Sequence, residues 1–339
     1  MPIENLLPVP SSPEHLSRDH FASPTQAPVE PKPPEQWDRA ILTAISEVTN
    51  RYQIESKIGS GASAEIYRAI DTRIKRFVAI KRYNKETLEN SPAESDYLSE
   101  FDAISKIAHP NVVCAYDVDD DDEGPFIVFE HLEGINLEQK LSQGPMEANE
   151  ARHFLVQALE ALTAIHEQGF SHLDIKPANF METPTLRGFS HYTLIDFGRA
   201  CDASREQKRR ESKEQKTLRG SLYYMAPEQF NNEAQDQRTD LYALGAMTYE
   251  LLTGIKPFDG ENPVQVMAAH LTNRVTPIGE LLPDLPPGMA PLIMSLITRA
   301  PEARPQSARE ALRCLLSLSS IQFAPLKLAS PFPHLVKTA

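Results

Sequence analysis

His172-Leu173-Asp174-Ile175-Lys176-Pro177-Ala178-Asn179 is the stretch from which the rest of this chain can be read. Two more follow it in order, Leu194-Ile195-Asp196-Phe197-Gly198 and Ala226-Pro227-Glu228. Phosphoryl transfer to a hydroxyl requires an acceptor for the hydroxyl proton and oxygen ligands for Mg²⁺. It also requires positive charge where the γ-phosphoryl becomes electron-rich. Asp174 offers the first, Asn179 with Asp196 the second, and Lys176 part of the third.

Working upstream, Lys81 ends the apolar run Val78-Ala79-Ile80-Lys81 and completes the positive charge. A lysine leaving a buried strand needs a carboxylate partner. Glu100 is the candidate, because Glu100-x3-Ile104-x2-Ile107 has the spacing of a helix with Ile104 and Ile107 on its core face. Earlier still, Ile58-Gly59-Ser60-Gly61-Ala62-Ser63-Ala64-Glu65-Ile66 is a glycine-rich turn between two strand-like runs. Small residues there let backbone N–H groups approach phosphate oxygens.

Strand-like runs at 52–58, 65–70 and 77–82 are separated by turn signals. A helix is expected over 94–108, with more strand near 112–118 and 126–130. The acidic tract 119–124 between these last strands reads as a solvated hairpin tip. From Leu137 onward helical periodicity dominates, as in 151–162. The layout is α+β: a small β-rich lobe over 52–130, then a larger helical lobe over 135–319, with a cleft between them. Residues 1–34 read as a disordered proline-rich arm. In 35–51, Trp37, Ile41, Ile45 and Val48 share one face of an amphipathic helix. That helix either packs on the following domain or docks a partner. Residues 320–339 form a C-terminal tail.

Six separated motifs in this order resemble the eukaryotic-type serine/threonine protein kinases, in their bacterial branch, over roughly residues 52–319. The resemblance implies a two-lobed kinase fold with ATP in the cleft, Mg²⁺ as cofactor and protein substrates. Gly59 and Gly61 would lie over the phosphates, and Lys81, held by Glu100, would bind the α- and β-phosphates. Asp174 would be the base, Lys176 the γ-phosphate contact, and Asn179 and Asp196 the metal ligands. Adenine would stack between Ile58, Ile66 and Ala79 above and Met181 below. Its edge would meet the linker Glu130-His131-Leu132, with Phe129 guarding the back pocket. Asp240 would brace the catalytic loop, and Arg304 would pair with Glu228. Lysine two positions after the base, together with Gly220-Ser221-Leu222-Tyr223-Tyr224-Met225 before Ala226, resembles the serine/threonine group, with Ser221 contacting base and lysine. Autophosphorylation is implied as well. A pseudokinase scaffold is the alternative, and retention of six chemical groups argues against it.

Two positions depart from the family pattern. Ala64 stands where a third loop glycine is usual, at a cost of about 1–2 kcal/mol if the site needs positive φ. Leu173 replaces the arginine that in regulated members pairs with an activation-segment phosphate, so activity is expected not to need that pairing. The segment 205–219 carries seven basic residues against Glu206, Glu211 and Glu214. It reads as a solvated loop, with docking of an acidic substrate or capture of a phosphorylated Ser204, Ser212 or Thr217 as the sharper alternative.

Bulk composition sets the remaining bounds. A formal net charge of −13 over 339 residues argues against nucleic acid or anionic lipid as partner. Protein partners docking through the N-terminal arm or the basic segment are compatible with it. The cysteines, Cys114, Cys201 and Cys314, have no pairing or metal-ligand spacing and read as free thiols in a reducing compartment. With no long uncharged apolar run and no secretory-signal pattern, the expectation is a cytoplasmic protein.

Overall fold

The computed structural model describes residues 51–61, 64–84, 96–185, 190–202 and 222–317. The proline-rich arm, residues 35–50 of the expected helix at 35–51, the basic segment 205–219, Ser221 and the tail 320–339 lie outside the described residues.

Short strand runs, the third and fourth separated by a helix, make an antiparallel sheet of β1 (Tyr52–Ser60), β2 (Ala64–Asp71), β3 (Arg76–Tyr83), β4 (Ala115–Asp121) and β5 (Gly124–Glu130). Their order in the sheet is β1-β2-β3-β5-β4. Helix α1 (Asp96–Ser105) supplies Ala103 and Ile104 to a core that also holds Tyr83, Ile127 and Phe129. It is shorter than the expected 94–108, and β4 starts three residues later than expected and runs on to Asp121.

That extension corrects the reading of the acidic tract. Asp121 is not part of a solvated tip: its carboxylate takes two hydrogen bonds from the Arg82 guanidinium, at 2.5 and 2.9 Å, and its side chain is only 10% exposed. Arg82 is buried on β3 and needs a counter-charge, which Asp121 provides from the end of β4. Ala64 is corrected too. It opens β2 in extended conformation, opposite Tyr83, and is absent from the positive-φ residues, so the strain weighed for it does not arise.

After the linker come β6 (Ile135–Asn136), α2 (Leu137–Leu141) and α3 (Ala148–Glu167). β7 (Phe170–Ser171), β8 (Phe180–Pro184), β9 (Ser190–Leu194) and β10 (Cys201–Asp202) follow. β6-β8-β9 form one small sheet and β10-β7 another. Helix α3 buries Ala151, Phe154, Leu155, Ala158, Leu159, Leu162 and Ile165, a wide helical stripe facing the core. Phe154 meets Phe180 and Tyr192 edge-on, with ring centroids 5.1 and 5.2 Å away.

The remainder is helical: α4 (Pro227–Phe230), α5 (Gln237–Thr253), α6 (Pro263–Thr272), α7 (Ile278–Leu281), α8 (Met289–Leu296) and α9 (Ala308–Ser317). Helix α5 is buried on all sides from Thr239 to Leu252, so its neighbours and not one face position it. Its first turn is capped by Asp236, which accepts from Arg238 N. It stops at Gly254, whose φ of 73° ends the helix in the left-handed region.

A buried histidine on α6 makes the larger lobe acid-sensitive. His270 is inaccessible to solvent; its Nδ1 lies 2.8 Å from the Tyr242 hydroxyl and its ring packs on Phe258 at 4.4 Å. Burial pushes its pKa down from 6.5 to about 3. Between those values the unfolded chain binds a proton that the folded chain does not. Stability is therefore full above pH 6.5 and falls with pH, by up to about 1.4 kcal/mol per pH unit. Urea midpoints measured from pH 7 to pH 4 should show this decline, and His270→Asn should flatten it. An identical slope in the variant would refute the assignment.

Candidate active site

The catalytic stretch is held from below. Asp240, fully buried on α5, accepts from the backbone N–H of His172 at 2.8 Å and of Leu173 at 2.7 Å. His166 Nε2 at the end of α3 donates to the same carboxylate at 2.9 Å. Leu173 has φ of 62°, a conformation a branched side chain enters only when its surroundings impose it. The Asp240 bond and burial of the leucine side chain impose it here. His172 is buried against Phe197 at 4.9 Å, and its Nδ1 accepts from Asp174 N. Burial pushes its pKa below the usual value, so the ring is neutral.

On this base three side chains converge. Lys176 Nζ lies 2.6 Å from Asp174 Oδ2. Asn179 Nδ2 donates to the Asp174 carbonyl at 2.8 Å and to Asp174 Oδ2 at 3.2 Å. Asn179 sits in a short 3₁₀ turn opened by Pro177, whose missing N–H costs nothing at that position. The Asn179 carbonyl in turn accepts from Ile195 N at 2.8 Å, which fastens the neighbour of Asp196 to the catalytic stretch.

The second constellation is centred on Lys81. Its ammonium lies 2.8 Å from both carboxylate oxygens of Glu100 and 2.7 Å from Asp196 Oδ1. Burial alone would lower the lysine's pKa, but Asp196 and Glu100 outweigh it and raise it well above the ordinary value. The same lysine charge holds the Asp196 carboxyl far below the usual carboxylate range. Gly198 adjoins this cluster: a Cβ there would stand 3.4 Å from both Asp196 Oδ1 and Glu100 Oε2, in ordinary van der Waals contact with them.

The remaining expected ligand-side residues occupy consecutive strands. Ile58, Gly59 and Ile66 lie on β1 and β2, with Gly59 opposite Ile66, and Ala79 lies on β3 opposite Phe129. Gly61 closes the turn, its N–H donating to the Ala64 carbonyl at 2.8 Å. Glu130 ends β5, and its N–H is committed to the Cys114 carbonyl, so that N–H is not offered to the cleft. Leu132 packs on the core from the linker, and Met181 lies on β8 opposite Asn136. Gly134 lets the linker pass β8, since a Cβ there would fall 1.9 Å from the Glu182 carbonyl oxygen.

Three participants went unread in the sequence. Tyr83 donates to Glu100 Oε2, His166 braces Asp240, and Arg199 stands 3.8 Å from Asp174 Oδ1. For Tyr83 a signal existed: it lies two residues after Lys81, on the same face of the strand. His166 and Arg199 carry none, because both meet their partners only through the fold.

The donors also fit a divalent ion carried by phosphates. Asn179 Nδ2 is used on Asp174, which leaves the amide oxygen as its donor to a cation, and the Lys81 charge keeps Asp196 ionised. Two hard oxygen donors suit Mg²⁺, which takes few protein ligands and completes its shell with phosphate and water.

A family model described as the protein kinase domain matches residues 52–315. A probable serine/threonine-protein kinase of Clostridium acetobutylicum is 35% identical over 266 residues, 78% of this chain and 39% of that protein. Probable serine/threonine-protein kinase PknB of Corynebacterium glutamicum is 32% identical over 78% of this chain and 41% of its own length. Serine/threonine-protein kinase PrkC of Bacillus subtilis is 30% identical over 78% and 40%. The chain thus spans about two fifths of the length of the curated relatives it matches. Because the family model runs through every element described above, from β1 into α9, this chain belongs to the protein kinase domain family.

Proposed function

We propose that the chain transfers the γ-phosphoryl group of ATP to serine or threonine hydroxyls of proteins, its own among them. One observation carries the reading: a carboxylate, an ammonium and an amide, Asp174, Lys176 and Asn179, are bonded into one unit, and Asn179 is tied through Ile195 to the Lys81–Asp196–Glu100 cluster. A scaffold that only bound partners would have no physical use for this arrangement.

Asp174 accepts the proton of the attacking hydroxyl while that oxygen bonds to the γ-phosphorus and the bond to the β–γ bridging oxygen breaks. ADP leaves. Lys176 stabilises charge on the transferred group, and Lys81 holds the α- and β-phosphates in register with it. Asn179 and Asp196 would hold Mg²⁺, whose charge offsets that building on the phosphate oxygens. Ile58, Ile66, Ala79 and Met181 would enclose the adenine, and the backbone from Glu130 to Leu132 would meet its edge.

The hydroxyl class rests on the motif at 220–225 and on the names of the relatives. A cytoplasmic location is proposed on the need for ATP and on three cysteines that are free thiols. Among the described residues no helix is long and apolar enough to cross a membrane. The direct test incubates the chain with γ-labelled ATP, Mg²⁺ and a generic protein substrate, beside Asp174→Ala. Label on phosphoserine or phosphothreonine with the first protein and not the second is the expected result. Equal labelling sinks it.

A further inference from the structure

Glu100 is almost wholly buried, at 1% exposure, and four hydrogen bonds reach its carboxylate. Lys81 Nζ donates to both oxygens, and Phe197 N donates to Oε1 at 3.3 Å. The fourth bond comes from the Tyr83 hydroxyl, 2.5 Å from Oε2. These donors are not equivalent. Lys81 is shared with Asp196 and, on the reading above, with the phosphates of the nucleotide. Phe197 belongs to the segment that carries Asp196. Among the described residues the Tyr83 hydroxyl donates to Glu100 alone, and Tyr83 belongs to β3, the strand that carries Lys81.

Strand alternation puts Tyr83 on the same face as Lys81. Its ring lies 5.7 Å from that of Tyr97, one turn before Glu100 on α1, and Lys81 Nζ sits 5.5 Å from its centroid. The phenol therefore grips α1 at two points. Burial and then the Glu100 charge keep its pKa well above the ordinary value, so it stays a donor throughout the neutral range.

We propose that Tyr83 is a positioning residue for the Lys81–Glu100 pair, holding α1 against the sheet whether or not nucleotide is present. The phosphate-binding lysine is then oriented in the free protein, without an outside signal to bring Glu100 inward. In its kinetic part this rests on the kinase reading above.

Tyr83→Phe tests it, because the ring and its contact with Tyr97 remain and only the donor is lost. In nucleotide-free protein, amide hydrogen exchange across Asp96–Ser105 should quicken about tenfold while that across Gln237–Thr253 stays as in the wild type. The variant's kcat/KM for ATP should fall about tenfold. In a Glu100→Ala background the same substitution should change kcat/KM less than about twofold, since Tyr83 would have no carboxylate to act through. A merely structural tyrosine would cost the same in both backgrounds. Unchanged exchange across α1, or a loss that persists in the Glu100→Ala background, overturns the proposal. A wild-type chain that transfers no phosphate would overturn the kinase reading alone, and the exchange comparison would then decide on Tyr83 by itself.

Discussion

Asp174→Ala is expected to lower the phosphotransfer rate at saturating ATP by about 10²–10⁴, the range for losing a positioned general base. The carboxylate is the proton acceptor that the reaction needs, and its side chain is 7% exposed, so bulk water is a poor replacement. The substitution keeps the backbone carbonyl to which Asn179 Nδ2 donates, so the catalytic stretch retains that tie. Nucleotide affinity should change little, because the bonds of Lys81 to Glu100 and Asp196 do not involve the Asp174 side chain. Asp174→Asn, which preserves shape and removes basicity, should lose nearly as much rate. Steady-state transfer of labelled phosphate, paired with titration of a fluorescent nucleotide, checks both halves. Rate and affinity falling together would mean that the site had collapsed and that Asp174 was not acting as a base.

Arg304→Ala should be the most damaging structural change, at about 3–5 kcal/mol. The Arg304 and Glu228 side chains are 0% and 2% exposed, and they meet as a two-pronged pair at 2.7 and 2.9 Å. The guanidinium also donates to the carbonyls of Thr298, Arg238 and Arg299 and lies over the Tyr242 ring at 4.7 Å. Removing it takes a donor from three carbonyls and leaves the Glu228 charge with one described donor, Thr239 Oγ1 at 2.9 Å. A loss of that size is a large share of the roughly 5–15 kcal/mol that holds a domain folded. Arg304→Lys should recover only part of it, since an ammonium cannot bond both carboxylate oxygens and three carbonyls at once. Urea unfolding measures it, and a loss under about 1 kcal/mol would show that the pair is dispensable. Glu228 ends the Ala226-Pro227-Glu228 turn, so the same change is expected to loosen the wall beside Tyr224 and Met225.

The pair of carboxylates around Lys81 shows how far residues alone could be read. A lysine closing an apolar strand demands a counter-charge, and Glu100 on a helix with two core-facing isoleucines was the natural supplier; it lies at 2.8 Å. Asp174, Lys176 and Asn179 were legible because phosphoryl transfer needs a proton acceptor, a positive charge and a hard oxygen donor, and one short stretch supplies all three. Ala64 and Asp121 were misjudged because each was assessed by its own preference. Ala64 owes its extended backbone to pairing with β3 across Tyr83, and Asp121 its burial to the guanidinium of Arg82.

The opening stretch, from His172 to Asn179, marks the division. By itself the sequence determined the chemical inventory and the order of the lobes, since these depend on residue type and on spacings of a few residues. Tertiary structure decided the rest. Leu173 adopts its positive φ because Asp240, 67 residues away, bonds its N–H. Lys81 meets Asp196 across 115 residues, and Tyr83 joins them through Glu100. Contacts of that separation are paid for by the hydrophobic burial of whole elements, α1 against the sheet and α5 within the larger lobe. No local pattern encodes which polar groups that burial brings face to face.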